Sequence, residues 1–131
     1  MRILIVDSNP DRQKKFMNNI SKLPFACEVS IVNTSKAAIN LLKKFEYNVV
    51  CLEYDLGESQ LTVQGRVKTI NNGNGGEVSQ WLKRNSKSQL TVYLHTLNTV
   101  WQRKMQQDLP EAIIKPFNDD WTFECEYSQN V

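Results

Sequence analysis

Arg2-Ile3-Leu4-Ile5-Val6-Asp7 decides the fold when set beside Ala112-Ile113-Ile114-Lys115-Pro116-Phe117. Both contain a short unbroken apolar run, the pattern of strands buried on both faces of a parallel sheet. The first ends in a carboxylate, the last in a lysine. In one parallel sheet Asp7 and Lys115 reach the same carboxyl edge, where open α/β sheets bind ligands. Asn48-Val49-Val50-Cys51-Leu52-Glu53-Tyr54-Asp55 brings Glu53 and Asp55 to that edge too. Three carboxylates and one lysine outline a site for a cation and a phosphate group.

Outward from these runs the chain alternates strand and helix. Asn9 caps a helix whose first position is Pro10, where a missing N–H costs nothing. Phe16, Ile20 and Leu23 form its inward stripe, and Pro24 stops it. Residues 27–32 alternate like an edge strand. Thr34 or Ser35 caps the next helix, with Ala38, Leu41, Leu42 and Phe45 facing inward. Residues 77–84 (Val78, Trp81, Leu82) and 99–109 (Trp101, Met105, Leu109) read as helices, and 90–96 and 112–115 as strands. Five strands alternating with helices predict a parallel sheet covered on both faces.

Two segments break this rhythm. In the insertion, residues 58–76, Leu61-Thr62-Val63 and Val67-Lys68-Thr69-Ile70 flank Gln64-Gly65 as a small hairpin, though Gln-Gly is a weaker turn signal than Asn-Gly. Arg66 and Lys68 on it either close over an anionic ligand or block edge pairing. Asn71-Asn72-Gly73-Asn74-Gly75-Gly76 reads as a flexible hinge. In the tail, residues 118–131, Trp121, Phe123, Cys125 and Tyr127 alternate with polar residues. That is strand period, so an extended segment is expected, docked on the domain or on a partner chain.

At 131 residues the chain is expected to be one domain, 1–131. A net charge of +2 gives no general affinity for nucleic acid or anionic membranes. Residues 12–15 read as the solvated face of a helix. No apolar run approaches the ~20 residues of a membrane span, and Met1 leads straight into a strand, leaving no room for a signal peptide. Cys27, Cys51 and Cys125, an odd number in apolar surroundings, suggest reduced thiols and a cytoplasmic location.

Over residues 1–117 the sequence resembles a receiver domain of the response-regulator type. It is more closely similar to the branch called the cyclic-phosphate-processing receiver domain. Tyr54-Asp55-Leu56-Gly57, Gly73-Asn74-Gly75-Gly76-Glu77-Val78, Trp81-Leu82, His95-Thr96-Leu97-Asn98, Met105, Leu109-Pro110, Pro116-Phe117 and the long insertion carry that likeness. The resemblance implies a flavodoxin-like, five-stranded parallel sheet of order 2-1-3-4-5 and an acidic pocket for Mg2+. It places Asp7 and Ser8 at the acidic pair and Glu53 at the phosphoacceptor position. Asp55 stands where the family offers a backbone carbonyl to the metal, Thr96 at the switch hydroxyl, and Lys115-Pro116 at the conserved lysine and its cis-proline. An ordinary receiver continues into a fifth helix. Glu53 replaces an aspartate, Tyr54 stands where the branch tends to carry histidine, and Ser8 removes one carboxylate.

The resulting expectation is Mg2+ held by Asp7, Glu53 and Asp55, since crowded carboxylates raise at least one pKa unless a cation relieves them. Glu53, a methylene too long, is a poor phosphoacceptor, so ordinary phosphorelay is not expected. On the enzyme reading a phosphorylated or cyclic-phosphate ligand, such as a cyclic nucleotide, is hydrolysed with metal assistance. Glu53 then belongs to the catalytic group with Lys115, which stabilises charge on oxygen, and His95, which handles the proton. Thr96, Asn98, Arg66 and Lys68 contact the ligand, although Asn98 suits the cap of the following helix better. The alternative for His95 is a locally bonded strand histidine. The alternative for the protein is an inert pseudo-receiver, a regulatory module using the face around Trp101 and Met105 and the tail toward a protein partner or a second copy.

Overall fold

The computed structural model describes residues 1–85, 87 and 89–123. Strands β1 (Arg2–Val6), β2 (Glu28–Val32) and β3 (Val49–Leu52) alternate with helices α1 (Pro10–Ser21) and α2 (Ser35–Lys44). A hairpin of β4 (Glu58–Val63) and β5 (Arg66–Asn71) follows. Then come α3 (Gly75–Arg84), β6 (Thr91–Leu94), α4 (Thr99–Asp108) and β7 (Ile113–Ile114). The main sheet runs β2-β1-β3-β6-β7, all parallel, which is order 2-1-3-4-5 once the hairpin is set aside.

Caps set the helix starts. The Asn9, Thr34, Asn74 and Asn98 side chains each accept a backbone N–H from the first turn of α1, α2, α3 and α4. Thr34, not Ser35, caps α2, and that helix closes one residue before Phe45, which stays exposed with Arg2 over its ring at 5.0 Å.

Period two along the strands sorts the core into two layers. Leu4, Val6, Val50, Leu52, Val92 and Leu94 face α2, α3 and α4, meeting Ala38, Leu42, Val78, Leu82 and Met105. The alternate residues Ile3, Ile5, Val49, Cys51 and Tyr93 face α1, meeting Phe16 and Ile20. Among the described residues one helix, α1, lies over that second layer, and Trp121 packs beside it. Its indole is 1% exposed, lies 5.0 Å from the Phe16 ring and 5.5 Å from that of Tyr93, and donates from Nε1 to Lys115 O at 2.9 Å. Asn118 to Trp121 form a turn in which Trp121 N donates to Asn118 O at 3.1 Å, and residues 121–123 dock on this layer without strand pairing; residues 124–131, which include the expected alternation at Cys125 and Tyr127, lie outside the described residues.

The insertion folds as the hairpin expected, turning through Gln64 (φ 52°) and Gly65 (φ 74°). Two consecutive positive φ values are what a two-residue turn of type I′ requires. The Asn/Gly run is no flexible hinge. Asn72 is buried, donating from Nδ2 to Leu56 O (2.9 Å) and accepting from Ser59 Oγ (3.0 Å). Asn74 and Glu77 form a reciprocal capping box. Polar side chains that bond the backbone have made structure out of a composition that reads as loop.

Candidate functional site

The register places the site. Val6, Leu52 and Leu94 lie abreast on β1, β3 and β6. Asp7, Glu53 and His95 each follow one of these, and by strand alternation all three point to the α1 side. The ladder carries on through them, with Glu53 N donating to Val6 O and His95 N to Leu52 O. Asp7 and His95 are 0% exposed and Glu53 5%. His95 Nε2 lies 2.8 Å from Asp7 Oδ2 and 3.8 Å from Glu53 Oε2. Its ring meets Phe16 edge-on at 5.0 Å, and its Nδ1 is buried with no hydrogen-bond partner among the described residues. Glu53 Oε1 accepts the Tyr54 N–H at 2.9 Å and faces that of Asp55 at 3.3 Å.

Arg12, read from sequence as part of a solvated face, turns inward instead. Its Nε reaches Asp7 Oδ2 at 2.7 Å and its Nη2 reaches Oδ1 at 3.0 Å. A cation in the first turn of a helix opposes the macrodipole. An arginine three places past an N-cap therefore needs an anion close by, and Asp7 precedes that cap by two residues. That was the signal in the sequence. The Asn9 N–H adds a further bond to Asp7 Oδ1 at 2.9 Å. Burial, the largest influence on Asp7, raises its pKa. Hydrogen bonds from His95, Arg12 and Asn9, with the charge of His95, together hold it below the ordinary 3.8. The upward shift expected of crowded carboxylates is thus reversed at Asp7, because the cluster carries its own cations.

A recess of about 280 Å³ opens over this floor, with Arg12, Lys15, Glu53, His95, Leu97 and Phe117 in its lining. The tail forms part of its wall through Asn118 and Asp119, the latter paired with Lys15.

The other residues expected at the site lie elsewhere. Asp55 is exposed, in a backbone bridge with Asn74. Lys115 projects toward the tail, its Nζ 5.3 Å from the centre of the Trp121 ring, and the Lys115–Pro116 bond is trans rather than cis. Thr96 is buried, its Oγ1 accepting the Asn98 N–H, while Asn98 caps α4. Arg66 and Lys68 sit exposed on the hairpin, outside the lining of the recess. Tyr54 turns away to stack on half-buried Trp101 (4.2 Å, 7°) and Met105 faces the core, while Val100 and Ile114 leave apolar surface exposed on the α4–β7 side.

One ligand atom each from Asp7, Glu53 and His95 fall within 4.8 Å of one another. The arrangement nevertheless does not fit Mg2+. That ion demands near-octahedral oxygen ligation, whereas this set includes an imidazole and excludes Asp55. A carboxylate offers about four lone-pair positions, and Asp7 spends four on Asn9 N, Arg12 Nη2, Arg12 Nε and His95 Nε2.

The family described as the cyclic-phosphate processing receiver domain matches residues 2–111. No curated protein sequence matches the chain. Among solved structures, the response regulator TrrA of Thermotoga maritima, captured with Mg2+ and BeF, is similar at TM-score 0.65 and 18% identity, over 91% of this chain and 90% of that one. A CheY-like receiver domain of Methanospirillum hungatei gives 0.63 and 16%, over 90% and 83%. The receiver domain of an HD-domain protein from Pseudomonas fluorescens gives 0.65 and 18%, over 90% and 84%. At such identities these likenesses establish the flavodoxin-like receiver fold and nothing about ligands. No helix among the described residues is long and apolar enough to cross a membrane.

Proposed function

This chain belongs to the cyclic-phosphate processing receiver domains, and from that premise we propose that it binds a phosphorylated small molecule of the cyclic-phosphate class in the recess above Asp7, Glu53 and His95. The observation that carries the reading is Arg12, whose guanidinium is anchored on buried Asp7 yet remains 29% exposed and lines the recess. A guanidinium has five N–H donors and Asp7 takes two of them, which leaves a fixed fork suited to phosphoryl oxygens. Lys15 stands at the rim, where it is paired with Asp119.

Binding rather than turnover is favoured by His95. Its Nε2 is engaged by ionised Asp7, its ring is fully covered, and Lys115 is directed toward Trp121. A general acid needs access to the leaving oxygen. His95 instead holds the floor together, orienting Asp7, which in turn orients Arg12. Glu53, at the phosphoacceptor position and accepting the Tyr54 and Asp55 N–H groups, makes the site a fixed rather than a phosphorylatable receiver.

Isothermal titration with 2′,3′- and 3′,5′-cyclic mononucleotides and their open monoesters tests this, with phosphorus NMR of the same mixtures. Saturable binding, weakened by Arg12→Gln, without conversion of the ligand is the expected result. Failure of every phosphate compound to bind refutes the function. Turnover that disappears in His95→Ala refutes the assignment of His95.

A further inference from the structure

We propose that Arg12 is the resident cation of this pocket and stands in for a divalent ion, so that phosphoryl ligands bind here without metal. The ligand half of this inference rests on the function proposed above; the metal half does not.

Three observations carry it. The first is the saturation of Asp7. Its Oδ1 accepts from Asn9 N and Arg12 Nη2, and its Oδ2 from Arg12 Nε and His95 Nε2, all at 2.7–3.0 Å. A metal ion would have to displace a bidentate guanidinium pairing on a fully buried carboxylate, a strong kind of charge-assisted contact. The second is the loss of other oxygen ligands. Ser8 offers no carboxylate, and Asp55 lies exposed outside the recess. The third is charge balance. Asp7 and Glu53 carry two negative charges, and Arg12 supplies one permanent positive charge within the field of both. Arg12 thus halves the negative charge that would draw a free cation, and His95 Nε2 stands between the two acids, 2.8 Å from Asp7 Oδ2 and 3.8 Å from Glu53 Oε2.

Arg12 is also held where it is by the fold rather than by chance of rotamer. It follows the Asn9 cap by three residues, and the next residue, Gln13, bonds both Asp7 O and Asn33 Oδ1. The start of α1 is thereby tied to the ends of β1 and β2. An arginine fixed in this way differs from a bound ion in one testable respect. It is present at every magnesium concentration.

The test uses the whole chain and reads melting temperature against MgCl2 up to about 10 mM, with ionic strength matched by NaCl. An ion that binds only the folded site raises the melting temperature by mass action. The wild type is expected to show no rise beyond the salt control, and its Kd for inorganic phosphate or a cyclic mononucleotide to agree within about twofold between EDTA and magnesium. Arg12→Gln is expected to gain a magnesium-dependent rise. Should that variant not fold, Mn2+ added to the 15N-labelled wild type decides the matter. Undisturbed amide signals of Asp7, Glu53 and Tyr54 support the proposal; their selective broadening at low Mn2+ overturns it. A specific magnesium rise in the wild type overturns it as well. If no phosphate compound binds, the function proposed above falls, while the magnesium and manganese data still decide the role of Arg12.

Discussion

Replacing Trp121 with alanine tests whether the tail is part of the domain. The indole is 1% exposed, packs against Phe16, Tyr93, Phe117 and Phe123, and bonds Lys115 O. Removing a buried tryptophan costs about 3–5 kcal/mol. The lower end applies here, because a terminal segment can peel away and let water reach the Lys115 carbonyl. A loss of about 3 kcal/mol at roughly 4 °C per kcal/mol lowers the Tm by about 12 °C. Trp121→Phe keeps a ring and gives up the N–H, which costs about 1 kcal/mol. Urea unfolding followed by circular dichroism measures both. If Trp121→Ala falls within about 1 kcal/mol of wild type at unchanged m, the tail does not cover the α1 layer in solution.

Three more outcomes are expected. Gly75→Ala places a Cβ 2.2 Å from Glu53 O, so the start of α3 must shift; a loss of about 1–3 kcal/mol in urea unfolding checks this, and no loss refutes the contact. The folded pKa of Asp7 is depressed, so its contribution is fully present above the unfolded value of 3.8 and is lost as pH falls through the folded one. The stability gap between wild type and Asp7→Asn should therefore hold steady from neutral pH to mildly acidic pH and close below 3.8, and a gap that narrows already near neutrality refutes it. Burial, with the nearby Asp7 charge, pushes the Cys51 thiol up; peptide mapping after native alkylation at mildly alkaline pH should leave Cys51 unmodified, and its labelling would contradict the packing.

The strands and their order were legible because buried parallel strands announce themselves as apolar runs, and the three site positions are the first polar residues after β1, β3 and β6. Strand parity alone would have chosen Asp7, Glu53 and His95 over Asp55, which lies past a turn where parity no longer holds. Arg12 was hidden because a charged cluster on a helix reads as solvent-facing until its partner is known. The Asn/Gly run misled for a related reason: composition reports conformational freedom, not the side-chain bonds that remove it at Asn72 and Asn74. Phe45 followed the helical stripe one step too far, since the helix ends before its turn comes round to the core.

The hairpin leaves and re-enters the domain through a single pinched neck. Asp55 bridges Asn74, Asn72 N donates to Gly57 O and its side chain to Leu56 O, and Ser35 N donates to Asn72 O. Mechanically this is a spur clamped at its root. A push on the tip at Gln64 or Gly65 meets first this clamp and the start of α2. A spur clamped in this way is expected to tolerate changes at its tip far better than changes at its root, where the Asp55 N–H also reaches the Glu53 carboxylate.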